Sequence, residues 1–79
     1  MSNINDFRTN YEKYNNEYYD NYNKKDKVAI ILSEVEKLKS KVESLPENDE
    51  RNILLLDIIS LEREINAQLS FLRSLSGMR

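Results

Sequence analysis

The chain has 79 residues and a net charge of −2, and 33% of its residues are charged. A single glycine and a single proline leave little material for hairpin turns, which disfavours an all-β fold. The absence of cysteine and histidine excludes disulfides, thiol chemistry and the commonest zinc sites. We therefore expect one small helical domain that is not an enzyme and needs no metal or other cofactor.

The charge distribution restricts the partners that the chain can have. Both signs are interspersed, so neither nucleic acid nor an anionic membrane is an expected partner. No apolar run approaches the ~20 residues of a membrane-spanning helix, and the N-terminal sequence lacks the apolar stretch of a secretory signal. These features predict a cytoplasmic protein without membrane insertion and without a small-molecule substrate.

Residues 1–27 form a segment rich in tyrosine and asparagine. They contain seven asparagines, all five tyrosines, and no valine or leucine. This composition is typical of a polar, mobile segment. Side chains at steps of three and four nevertheless favour a helix over much of residues 4–22. These side chains are Ile4, Phe7, Tyr11, Tyr14, Tyr18 and Tyr22. A helical and a mobile segment both remain open.

Residues 28–44 have the pattern of an amphipathic helix. Its aliphatic face consists of Val28, Ile31, Leu32, Val35, Leu38 and Val42. At about 100° per residue, the tyrosine face of residues 4–22 lies roughly 120° round from this aliphatic face. One straight helix cannot turn both faces toward the same neighbour. The sequence therefore predicts either a break near residues 23–27 or a separate contact for the N-terminal segment.

Residues 44–48 form a predicted turn, because Pro46 cannot continue a helix interior. Two residues compete as the N-cap of the helix that follows. Ser44 has a glutamate three residues later, which is the spacing of a capping box, and Asn48 is the alternative. Because the turn is short, the two flanking helices should be antiparallel neighbours.

The longest predicted helix covers residues 47–76. In its first turn, Glu47 and Arg51 have the spacing of an i, i+4 ion pair. Its apolar stripe consists of Leu54, Ile58, Leu61, Ile65, Leu69, Leu72 and Leu75. Between residues 53 and 61 only Asp57 and Ser60 are polar, so this part is apolar nearly all round. Such a helix needs more than one neighbour, and residues 28–44 provide one.

These elements predict an all-α fold with two parts, the segment 1–27 and a unit 28–79. The unit is an antiparallel, coiled-coil-like helical hairpin of residues 28–44 and 47–76. Two helices bury too little apolar surface to offset the conformational entropy of about fifty residues, so we expect the fold to be completed by association. The partner is another helical protein or a second copy of the chain. The side chains expected to bind it are Leu55, Leu56, Ile59, Tyr11, Tyr14 and Tyr18.

One stretch carries a family resemblance. Residues 52–59, followed by residues 62–65, resemble the second helix of small co-chaperones for the type III secretion needle subunit. Members of that family are helical hairpins of similar length, with a polar turn before an apolar second helix. The resemblance implies a cytoplasmic chaperone or adaptor that covers an apolar helix of a polymerising partner and keeps the partner monomeric.

Two alternative functions remain open from the sequence. The first is a structural, homo-oligomeric coiled-coil subunit without another partner. The second follows from a further resemblance, since Ser60 and Glu64 lie where short hairpin phosphatases of sporulation response regulators carry a serine and an aspartate. That resemblance implies phosphate release from a response regulator, in which Glu64 would be required.

Overall fold

The computed structural model describes residues 4–77. This part of the chain contains three α-helices, α1 (Ile4–Asn21), α2 (Lys25–Glu43) and α3 (Asp49–Gly77), and no strand. The helices pack against one another, which confirms the predicted all-α fold. The N-terminal segment is thus helical between Ile4 and Asn21.

Helices α2 and α3 form the antiparallel hairpin. The Nζ atom of Lys39 in α2 lies 3.1 Å from Oε1 of Glu62 in α3. Most of the core comes from the two predicted stripes. The buried members are Val28, Ile31, Val35, Leu38 and Val42 of α2, and Leu54, Ile58, Leu61, Ile65, Leu69 and Leu72 of α3. Two residues of the predicted stripes are not buried: Leu32 is half-buried, and Leu75 is 48% exposed.

Helix α1 folds back and packs on this hairpin. Tyr18 is 4% exposed, and four other α1 side chains pack partly against the same core. These four are Ile4, Phe7, Tyr11 and Tyr14. Contacts of Arg8 with Asp57 and of Tyr19 with Glu64 show that α1 runs parallel to α3. Helix α1 is therefore a second neighbour of α3, which the predicted hairpin of α2 and α3 does not include. The three-helix bundle measures 49 × 17 × 15 Å.

The chain reverses direction between α1 and α2 at residues 22–24, close to the predicted break. The backbone N–H of Lys24 donates to the carbonyl of Asn21 at 2.8 Å. Lys24 is the N-cap of α2, and its side chain makes no capping hydrogen bond. The three residues include neither glycine nor proline, and none has a positive φ. Asn21 and Asn23 are turn-forming residues, and Nδ2 of Asn21 donates to the carbonyl of Glu17 at 2.8 Å, but no side chain caps the start of α2.

The reversal between α2 and α3 is fixed by side chains. Oδ1 of Asn48 accepts a hydrogen bond from the backbone N–H of Arg51 at 2.9 Å, so Asn48 is the N-cap of α3. Ser44 belongs to the end of α2, where its Oγ donates to the carbonyl of Lys41 at 2.7 Å. Of the two predicted caps, Asn48 is the one that caps α3, because the Ser44 hydroxyl is hydrogen-bonded at the end of α2.

Arg51 joins the start of α3 to the end of α2. Its guanidinium donates to the carbonyls of Val42 at 3.3 Å and Glu43 at 3.0 Å, and to Oδ1 of Asn52 at 2.8 Å. Carbonyls at a helix C-terminus lack intrahelical donors and carry partial negative charge, which a cation stabilises. The predicted pair with Glu47 is not among the ion pairs of residues 4–77, because Arg51 caps α2 instead.

Candidate partner-binding surface

The first half of α3 exposes apolar side chains on the side that faces away from the core. Leu56 is 64% exposed and Ile53 is 55% exposed, while Leu55 and Ile59 are half-buried. We call these four residues the α3 patch. Contact of such aliphatic groups with water is unfavourable by about 25 cal/mol per Å² of apolar surface. Contact with a neighbour that covers the patch is therefore favourable.

Helical spacing explains the exposure of the patch. Leu54 and Ile58 are fully buried and define the direction of the core. At ~100° per residue, Leu56 lies on nearly the opposite side of α3, where neither α1 nor α2 can cover it. Leu55 and Ile59 lie on the flank that borders α2, which explains their intermediate exposure.

Ion pairs border the patch on both flanks. On the α2 side, Lys39 and Glu62 are 3.1 Å apart, and on the α1 side Arg8 Nη1 lies 3.6 Å from Asp57 Oδ2. The hydrogen bond from Lys39 to Glu62 raises the pKa of that lysine, since the bond favours the charged form. An apolar centre with a charged rim is the usual anatomy of a protein interface.

The three tyrosines predicted to bind a partner all contact their own chain. Tyr18 is buried in the core, with its ring centroid 5.1 Å from that of Tyr19. Tyr11 and Tyr14 are half-buried against the same core, and burial raises the pKa of all three predicted tyrosines. This placement corrects the prediction for Tyr18, because the return of α1 onto the hairpin makes it a core residue.

Hydrogen bonds also join α1 to the middle of α3. The Tyr19 hydroxyl donates to both carboxylate oxygens of Glu64, at 3.0 and 3.1 Å, and this bond raises the pKa of Tyr19. Nε2 of Gln68 donates to the carbonyl of Tyr22 at 2.8 Å. Ser60 and Glu64, the pair that resembles the hairpin phosphatases, are both exposed, but Glu64 is engaged by Tyr19 in holding α1.

A second exposed apolar group lies near the other end of α3. Phe71 is 54% exposed, and Leu75 and Tyr22 are each 48% exposed. We call these three residues the C-terminal patch. Because the carbonyl of Tyr22 is level with Gln68, α3 continues past the end of α1 and carries Phe71 and Leu75 beyond it. Sequence periodicity missed this patch, since it shows the face of a residue and not where a neighbouring helix ends.

Comparisons with protein-family models, with curated proteins and with solved structures find no match to this chain. Within residues 4–77, no helix is long and apolar enough to cross a membrane. In the same range, no three acidic side chains are grouped in a way that could hold a metal ion. Inferences about function therefore depend on the surfaces described above.

Proposed function

We propose that this protein is a non-catalytic interaction module that binds an amphipathic helix of another protein along the α3 patch. The observation that supports this proposal is the exposure of Ile53 and Leu56, which belong to a helix whose aliphatic stripe is buried from Leu54 to Leu72. Docking of a helix onto an apolar surface through residues spaced by three or four is a common recognition mode. The spacing of Ile53, Leu56 and Ile59 is suited to it.

The size of the patch indicates reversible binding. Full burial of an aliphatic side chain contributes about 1.5–3 kcal/mol, and Ile53 and Leu56 are each a little more than half exposed. Each would therefore contribute about 1–2 kcal/mol on contact with a partner. The partner's own apolar side chains must supply the rest, which favours a partner that also has an uncovered helix.

A chaperone or adaptor role fits these requirements. A protein that polymerises through an apolar helix is prone to aggregate until that helix is covered, and a short helical bundle can cover it. The resemblance of residues 52–59 and 62–65 to needle-subunit co-chaperones implies the same role. We propose it as the more specific function, with self-association through the α3 patch as the alternative outcome.

The double substitution Ile53→Glu with Leu56→Glu tests the proposal. Both side chains are mostly exposed, so the bundle should fold while the patch becomes charged. Ile30→Glu is the matched control, because Ile30 is 59% exposed on α2 and lies outside the patch. Tagged wild type, double variant and control are used to isolate binding proteins from the native host. A protein lost only with the double variant is then purified and titrated calorimetrically.

We expect 1:1 binding that is weakened at least about tenfold by the double substitution and unchanged by Ile30→Glu. Equal affinity of the purified partner for wild type and double variant would contradict the proposal. If no partner is found, and the double variant instead lowers the mass of the wild-type particle in solution, the structural homo-oligomer is the better function.

A further inference from the structure

Helix α1 contributes mostly half-buried side chains to the core, whereas the two hairpin helices contribute mostly buried ones. Of the twelve buried hydrophobic residues in the described part of the chain, eleven belong to α2 and α3, and Tyr18 alone belongs to α1. The hydrogen bonds that Tyr19 of α1 and Tyr22 of the following turn make with α3 are exposed to water. Regions with few buried apolar contacts open at a lower free energy than the core does.

The connection between α1 and α2 also offers little resistance to opening. Residues 22–24 have ordinary negative φ values, and the start of α2 has no side-chain cap that an opened connection would lose. Three extended residues span about 10 Å, which is enough to carry α1 away from its own hairpin. Exchange of an identical element between two copies is a low-cost route to a dimer.

We propose that a second copy of the chain occupies the α1-binding face of the hairpin, so that two copies exchange their α1 helices in a two-fold symmetric dimer. The α1 helix of the second copy fits the α1-binding face of the hairpin, because it has the same sequence as the helix it replaces. Each contact of α1 that is made within one chain is remade between chains. The conformation of residues 22–24 changes, and the hydrogen bond from the backbone N–H of Lys24 to the carbonyl of Asn21 is lost.

The C-terminal patch supports a second copy at this end of the bundle. In the exchanged dimer the two connections cross near the two-fold axis, so the ends of the bundles that carry them face each other. Phe71, Leu75 and Tyr22 lie at that end, where the single chain leaves them about half exposed. Their burial against the equivalent residues of the second copy is a gain that the closed monomer lacks.

Cysteine cross-linking tests the exchange, since the natural chain contains no cysteine. Arg8 and Asp57 are 3.6 Å apart across α1 and α3, and they form a partly exposed pair that contributes little stability. Chains with Arg8→Cys and chains with Asp57→Cys are mixed, equilibrated at high protein concentration and treated with a short thiol cross-linker. The control mixture combines Arg8→Cys with Ser70→Cys, because Ser70 is exposed on the outer side of α3.

We expect covalent heterodimers of the Arg8→Cys and Asp57→Cys chains, at least about tenfold more abundant than in the control mixture and increasing with concentration. Phe71→Glu should reduce their amount without reducing the helix content of the monomer. Cross-linking at the level of the control would overturn the proposal, as would a monomeric mass at every concentration. A dimer detected by mass without the Arg8–Asp57 cross-link would show end-to-end contact without exchange, which also refutes it.

This inference is independent of the proposed function. The α3 patch lies at the opposite end of α3 from the exchanging connection, so Ile53→Glu with Leu56→Glu should leave the cross-link unchanged. Loss of the cross-link in that double variant would show that the α3 patch, and not the exchange of α1, holds the two copies together.

Discussion

The two chain reversals of this bundle are specified in different ways. Between α2 and α3, Pro46 prevents helix continuation, Asn48 caps the new helix and Arg51 binds the last carbonyls of the old one. Between α1 and α2, the turn at residues 22–24 has a backbone hydrogen bond and no side-chain cap at Lys24. Side chains thus cap the start of α3, whereas the start of α2 has no side-chain cap and the position of α1 depends on its contacts with the hairpin.

This difference predicts two levels of stability within one small bundle. The hairpin has its own aliphatic core and a side-chain-capped turn, so it should open last. Helix α1 contributes aromatic side chains that are mostly half-buried, so it should open first. Three measurements test this order, and they are described from the largest expected effect to the smallest.

Arg51→Ala should give the largest effect because it removes the contact between the end of α2 and the start of α3. Loss of hydrogen bonds from a cation to two helix-terminal carbonyls should lower the free energy of unfolding by about 1–2 kcal/mol. Urea denaturation followed by far-ultraviolet circular dichroism measures this change. Arg63→Ala is the control, since Arg63 is exposed in the middle of α3 and should change the midpoint little.

If Arg51→Ala and Arg63→Ala had the same small effect, the contacts of Arg51 would not specify the turn. The comparison between the two reversals would then rest on Asn48 and Pro46 alone.

Substitutions at the two N-caps, Asn48 and Lys24, should change the stability of the fold in opposite directions. Asn48→Ala should destabilise the hairpin by about 1 kcal/mol, because the backbone N–H of Arg51 loses its acceptor. Lys24→Asp should stabilise the start of α2 by about 0.5–1 kcal/mol, because Lys24 already has the extended backbone of an N-cap and lacks only an acceptor. Both are measured by thermal unfolding.

Asn48→Asp serves as the control, since it keeps the capping oxygen and should remain near the wild-type stability. If Lys24→Asp does not raise the stability, the start of α2 does not lack a stabilising cap and resembles the start of α3 in this respect. That outcome would remove the distinction between the two reversals.

Alkaline pH should release α1 before the hairpin unfolds. Burial raises the pKa of Tyr11, Tyr14 and Tyr18 above the ordinary value of 10.0, and the hydrogen bond to Glu64 raises that of Tyr19. A raised pKa means that the folded state prefers the neutral phenol. The resulting stabilisation is complete below about pH 10 and is lost as pH rises through the folded pKa values.

This release can be observed separately from hairpin unfolding, since all five tyrosines lie in α1 and the turn after it and the chain has no tryptophan. Tyrosinate absorbance and tyrosine fluorescence therefore report on α1, and circular dichroism reports mainly on the longer α2 and α3. The hairpin loses one ion pair over a similar range, that of Lys39, whose pKa is also raised. A single transition shared by all three signals would contradict stepwise opening.

Residue spacing alone was sufficient to predict the hairpin. The buried faces of α2 and α3 follow their predicted stripes because a repeat of three and four residues records which side of a helix avoids water. Only Leu32 and Leu75 depart from full burial, and Leu75 does so because α3 outruns its neighbours. The tyrosine spacing likewise indicated α1, although its composition left a mobile segment open.

Features that depend on tertiary contacts could not be predicted in the same way. Tyr18 was expected on a binding surface, because the spacing gives its helix face but not the helix that this face meets. Arg51 was paired with Glu47 by local spacing, but in the folded chain the carbonyls of α2 are closer acceptors. Ser44 and Asn48 were both acceptable caps, and the end of α2 decided between them.

The length of α3 has a consequence for the proposed binding of a partner helix. Leu56 and Leu75 are separated by about 28 Å of helix, at 1.5 Å per residue, so the two patches can be used at the same time. A dimer joined at the C-terminal patches would present its two α3 patches at opposite tips. Under the two proposals together, such a bivalent particle would bind two partner helices at once, with greater avidity for a partner that carries both than one patch alone.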